Sequence, residues 1–180
     1  MKRRQFFRLS WAVPTLVAGS LSGPLEAATE EVVVRAGADR DGKPFEILGA
    51  TFQVKVSGKD TEGRCVIFDT IRHQKLGPAL HLHTDCDEWF FVKDGEFKVQ
   101  AGEKILRLKM NDSLLVPRGM PHSFVKTSDG DARLIVMHQP AVKMEEFFRL
   151  VSQQPDQAGS MKRLADQYGF RILGPPLSPD

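Results

Sequence analysis

The chain has 180 residues, 41% of them hydrophobic and 27% charged, with a formal net charge of +2. Lys2, Arg3, Arg4 and Arg8 stand against Glu26 in residues 1–27, a net of +3, so the remainder totals −1. A near-neutral body lacks the basic field that nucleic-acid binding needs. No apolar run reaches the roughly 20 residues of a stable membrane span, and two cysteines exclude a disulfide scaffold.

The chain opens Lys2-Arg3-Arg4-Gln5-Phe6-Phe7-Arg8, passes through a weakly apolar stretch at 9–23, and reaches Pro24-Leu25-Glu26-Ala27-Ala28. Positive n-region, short h-region and small residues at a cleavage point make a signal peptide of residues 1–27. The paired arginines before Phe6-Phe7 resemble a bacterial twin-arginine signal, which implies export of the folded protein to the periplasm or beyond. An ordinary secretory signal and a basic tail are the alternatives. Export after folding would let a weakly held ion such as Mn(II) or Fe(II) be loaded before tighter-binding Cu(II) and Zn(II) are met.

Residues 28–180 read as a single domain. Short β-rich runs recur at 31–35, 45–48, 52–56, 65–71, 79–83, 89–92, 96–100, 104–108, 113–116, 123–126 and 133–138. Asp94-Gly95 and Gly102-Glu103 suit tight hairpins, Asn111-Asp112 a turn, and Ser128-Asp129-Gly130-Asp131 a longer loop. Such spacing predicts an all-β sandwich or barrel, with its core over 45–140. The period then changes. Met144, Phe147, Phe148 and Val151 fall at i, i+3, i+4 and i+7, as do Met161, Leu164, Ala165 and Tyr168. Two short helices within 143–169 are expected to pack these stripes on the barrel. The final Gly174-Pro175-Pro176-Leu177 reads as an extended surface tail.

The chemistry concentrates in Ala79-Leu80-His81-Leu82-His83-Thr84-Asp85-Cys86-Asp87-Glu88. Side chains at i and i+2 of a strand share a face, so His81 and His83 point the same way. Glu88 then opens the next strand and can return to that face. Pro117-Arg118-Gly119-Met120-Pro121-His122 is a rigid turn that fixes where His122 enters its own strand. Three imidazoles and a carboxylate make a donor set suited to one divalent transition metal: Fe, Mn, Ni, Co, Cu or Zn.

These residues resemble the cupins. Their first motif, HxH-x(3,4)-E-x(6)-G, is matched by His81, His83, Glu88 and Gly95, and their second, PxG-x(2)-H, by Pro117, Gly119 and His122. Gly77 lies four residues before His81 rather than six, Asn111 replaces a usual Gly, and Lys126 a usual Asn. None of these departures touches a proposed ligand. The segments Glu88-Trp89-Phe90-Phe91-Val92, 117–124, Tyr168-Gly169-Phe170 and Gly174-Pro175-Pro176 look like single-domain quercetin-dioxygenase-like cupins, a resemblance covering about residues 45–178. It implies a cupin-type β-barrel (double-stranded β-helix or jelly roll) with two short C-terminal helices, a 3-His/1-Glu metal, and pairing of strands near the N-terminal end. The run 31–48 is then the candidate interface of a homodimer.

The remaining residues read more plainly. His73 and His138 fit no motif, and His138 reads as a satisfied residue at the barrel rim. Cys86 reads as a free thiol, a Cys65–Cys86 disulfide being a question of geometry. Arg118 reads as an exposed turn residue rather than an anion guide. For function, the resemblance implies a dioxygenase acting on a small aromatic or enolic substrate, with Glu88 as ligand and general base and Phe90, Val92 and Phe124 as pocket lining. The alternative is a non-catalytic periplasmic barrel that binds a small ligand or stores a metal. A metal-assisted isomerase or decarboxylase acting on a polar substrate ranks last, because it needs Lys, Arg or a second carboxylate in the pocket and few such residues fall in register with the ligands.

Overall fold

A computed structural model describes residues 31–180; the signal-like segment 1–27 lies outside them. Strand alternation sets the architecture. In β5 (Asp87–Asp94) Glu88, Phe90 and Val92 turn inward, while Trp89 and Phe91 stack on the outer face with ring centroids 5.9 Å apart. In β10 (Ala132–Gln139) the inward residues are Ala132, Leu134, Val136 and His138. Such two-residue periodicity is what a strand buried on one face requires.

Among the described residues, eleven strands form two antiparallel sheets. The six-stranded sheet has the order β1 (Phe45–Ile47), β2 (Ala50–Val56), β3 (Val66–Arg72), β10, β5 and β8 (Ser113–Val116). The five-stranded sheet runs β11 (Phe170–Pro176), β4 (Ala79–His83), β9 (His122–Lys126), β6 (Glu96–Ala101) and β7 (Lys104–Lys109). The two inward faces enclose the core, the arrangement of a jelly roll.

Several details depart from the sequence expectations. The run 31–35 forms no strand; Val32 and Val33 are exposed. Asp94-Gly95 closes no hairpin, because it carries the chain from β5 in one sheet to β6 in the other. Gly95 is suited to that crossing. Its φ is +78°, and a Cβ there would lie 2.5 Å from the Ala132 Cβ. The C-terminal Gly174-Pro175-Pro176 is not a free tail but part of β11, which pairs with β4, the strand of His81 and His83, through two register shifts. An edge strand tolerates prolines because its outer side needs no N–H donors.

The two C-terminal helices are present. In α1 (Met144–Ser152) the buried face is Met144, Phe147 and Val151. The second stripe is divided between α2 (Gln157–Leu164) and a 3-10 turn, Ala165–Tyr168. Gln157 fastens α2 to the β1–β2 corner by accepting from the Leu48 N–H and donating to the Glu46 carbonyl, both at 2.9 Å. Two apolar clusters result. One joins Phe52, Val54 and Phe68 to α1 and Phe170; the other joins Phe90, Val92, Phe97, Leu134 and Val136.

Candidate metal centre

Between those clusters lies a polar group. His81 and His83 project from β4, His122 opens β9 opposite His81, and Glu88 faces them from the other sheet. All four are buried, and one donor atom from each lies within 4.8 Å of every other. The turns that place them are pinned together. Arg118 grips Asp87 with Nε and Nη2 at 3.0 and 3.1 Å, its own N–H donates to Asp87, and the Gly119 N–H donates to the His83 carbonyl at 2.7 Å. Arg118 is thus a brace between the two motif loops.

The imidazoles are oriented by main-chain acceptors that the sequence could not name. His81 Nδ1 lies 2.8 Å from the Ala79 carbonyl and His122 Nδ1 2.9 Å from that of Met120. Donation through Nδ1 leaves Nε2 as the ligating nitrogen in both. Glu88 Oε2 sits 2.7 Å from His122 Nε2 and 3.1 Å from His83 Nε2. Burial, reinforced by the neighbouring His122 and His83, pushes His81 down to about 3. Burial by itself would raise Glu88, but His138, His122 and His83 outweigh it and hold the carboxyl well below its usual range. His122 moves upward, the carboxylate beside it overcoming burial. A neutral His81, an ionised Glu88 and a buried His83 Nδ1 with no partner among the described residues are what a cation site presents. The donor set fits a single divalent transition ion.

The cluster opens on a cavity of about 630 Å³, whose wall includes Phe52, Phe124, Phe147, Phe148 and Phe170. Phe124 therefore lines the cavity as expected, while Phe90 and Val92 do not. They share the inward face with Glu88 but lie farther along β5 in the second apolar cluster, where Phe90 packs against Phe124 at 5.3 Å. Cys86 is buried in the first cluster, its thiol pushed up to about 12 by burial, and neither cysteine is bonded to the other.

Two residues were missed. His138 is not a rim residue. It is fully buried, with Nε2 3.4 Å from Glu88 Oε1 and its ring against Phe68 and Phe148. Its position two residues beyond Val136 on an inward face was the available signal. Arg72 also lines the cavity, as does Lys162 of α2, although no cation was expected there. Arg72 follows Phe68 and Thr70 on the inward face of β3, and the sequence reading ended that strand one residue short.

The profile of the cupin domain matches residues 68–138, a stretch that contains all four proposed ligands. The barrel has the cupin fold. The matched stretch carries His81 and His83 on β4, Glu88 on β5 and His122 at the start of β9. The chain is 42% identical over 65 residues to YdbB of Bacillus subtilis (strain 168), a protein described as uncharacterized, covering 34% of this chain and 54% of that one. The chain therefore spans about half the length of that relative. Two solved structures share the cupin fold. KdgF from Halomonas sp. has a TM-score of 0.53 at 16% identity, covering 62% of this chain and 94% of its own. An RmlC-like cupin from Shewanella frigidimarina NCIMB 400 has a TM-score of 0.53 at 19% identity, covering 65% and 96%.

Proposed function

We propose that this cupin is a metal-dependent dioxygenase for a small aromatic or enolic substrate. The observation that carries the reading is the buried His81, His83, Glu88 and His122 group, three of whose members line a largely apolar cavity with five phenylalanines in its wall. When bound, a divalent transition metal would acidify a substrate hydroxyl and, where redox-active, couple substrate oxidation to dioxygen. The protein's own residues supply the rest. Main-chain carbonyls fix His81 and His122 in the ligating tautomer, and aromatic walls exclude water from the reacting face. Glu88, itself part of that group and ionised, would accept the substrate hydroxyl proton. An apolar wall favours a substrate with a ring or diketone-like body over a small dianion.

The Arg3-Arg4 and Phe6-Phe7 segment supports export of the folded chain by the twin-arginine route. Among the described residues no helix is long and apolar enough to cross a membrane. The first test is elemental analysis of wild type and His81→Ala, followed by dioxygen uptake with a polyphenol. Near-stoichiometric redox-active metal that is lost in the variant, together with uptake, upholds the proposal. Zinc alone, or equal metal in both proteins, favours the non-catalytic barrel instead.

A further inference from the structure

Arg72 is a buried cation with no ion-pair partner among the described residues: burial lowers it to about 10, and Glu88 favours its charge only from a distance. It is 5% exposed and lines the cavity wall. Its Nε donates to the Thr70 hydroxyl at 3.2 Å, and Thr70 in turn donates to the Leu134 carbonyl at 2.8 Å. Among the described residues the two terminal nitrogens make no hydrogen bond, and no carboxylate forms an ion pair with the guanidinium. Phe52 and Phe124 clamp the group instead, their ring centroids 5.0 and 4.8 Å from Cζ. Stacking of this kind holds the plane of the fork and leaves its terminal edge open.

A buried guanidinium without an anion is costly, because the lost hydration is not replaced. Glu88 does not serve. Its Oε2 is engaged by His122 and His83, and its Oε1 faces His138. A divalent ion on the floor would make the imbalance larger. The carboxylate would then offset one of the ion's two charges, and Arg72 would face a net positive site. The cavity as a whole calls for an anion at a fixed place on its wall.

We propose that Arg72 is the docking group for a substrate carboxylate, held end-on by its two terminal nitrogens. The proposal rests on reading the cavity as a substrate site and narrows the substrate to an aromatic or enolic acid. One oxygen of such a molecule would face the histidine floor, its ring would lie among the phenylalanines, and its carboxylate would meet Arg72. The two anionic ends match the two positive centres.

The test is binding without turnover. Zinc-loaded protein is titrated with 2-hydroxybenzoate and with its uncharged amide, 2-hydroxybenzamide, by calorimetry. Wild type should prefer the acid by at least about tenfold, the range of a hydrogen bond to a charged group. Arg72→Met should erase the preference, and Arg72→Lys should retain part of it. Melting curves check that both variants fold. Equal affinity for acid and amide in wild type, or a preference that survives in Arg72→Met, overturns the proposal. Because zinc supports no oxygen chemistry, these outcomes are independent of whether the dioxygenase reading stands.

Discussion

His138 and Glu88 occupy paired positions on β10 and β5, and the imidazole Nε2 lies 3.4 Å from Oε1 of the carboxylate. Neither ring nitrogen of His138 has a hydrogen-bond partner among the described residues, and burial pushes the group down to about 3, so it is held neutral. Its ring is wedged edge-on against Phe68 and Phe148. Glu88 is thereby flanked on both sides, with Oε2 hydrogen-bonded to the motif histidines and Oε1 beside the neutral His138 ring.

That arrangement makes a prediction. His138→Phe keeps an aromatic ring in the aromatic wedge but removes the polar neighbour of Oε1. Metal affinity should fall about tenfold, the lower end of the loss seen when a ligand's supporting contact is removed. Stability should hold, since a buried ring with two unsatisfied nitrogens has been replaced by an apolar one. Competition with a chelator measures the first and thermal unfolding the second. Unchanged metal affinity would reduce His138 to packing.

Metal binding should also strengthen as pH rises. His122 holds its proton more tightly than an ordinary histidine because the Glu88 carboxylate lies 2.7 Å from Nε2. The same nitrogen must give up that proton to bind a metal. Affinity is therefore lost as pH falls through and below the raised His122 value, and binding at neutral pH releases protons. Calorimetry in buffers of different ionisation enthalpy would detect the release. Binding that takes up protons, or that is flat between pH 6 and 8, would contradict the assignment of His122 as a ligand, given the usual histidine value of about 6.5.

How far these features were legible from the chain depends on what fixes them. The four candidate ligands were readable because strand alternation and a rigid proline turn are local. His138 obeys the same alternation after Ala132, Leu134 and Val136, yet placing it beside Glu88 required knowing that β10 pairs with β5. Arg72 was harder. Its inward direction is local, but its burial comes from Phe124 on the opposite sheet. Asp94-Gly95 misled because a turn between sheets uses the same chemistry as a hairpin. The β11 prolines misled because their strand is held through β4, a partner almost a hundred residues away.

Gly77 shows a departure from the usual motif spacing that is structural in effect. A Cβ at this position would lie 1.7 Å from the Phe124 carbonyl oxygen, a backbone atom that cannot swing aside. Phe124 also carries the cavity wall and one face of the Arg72 clamp. Gly77→Ala should destabilise the fold by about 1–3 kcal/mol, the range for overpacking. It should also weaken ligand binding by displacing Phe124. Chemical denaturation and the acid–amide titration would report the two effects. A variant as stable as wild type would show that β9 can shift outward at no cost.

The Arg118 brace gives the fold an acid-sensitive element. Hydrogen bonds from the Arg118 side chain and main chain lower Asp87 to about 2, from an ordinary value of 3.8. A carboxyl whose folded value is depressed stabilises the folded state above its unfolded value, and that contribution disappears as pH falls toward the folded value. The window is therefore between about 3.8 and about 2. Both partners are substantially exposed, so solvent and salt screen the pair and the effect is small. Asp87→Asn should flatten the acid limb of the unfolding curve in that window and leave stability at pH 7 slightly reduced. It should also loosen the two motif loops, lowering metal affinity more than it lowers the melting temperature. Equal losses in both would mean that the brace stabilises the barrel in general and does not specifically align His83, Glu88 and His122.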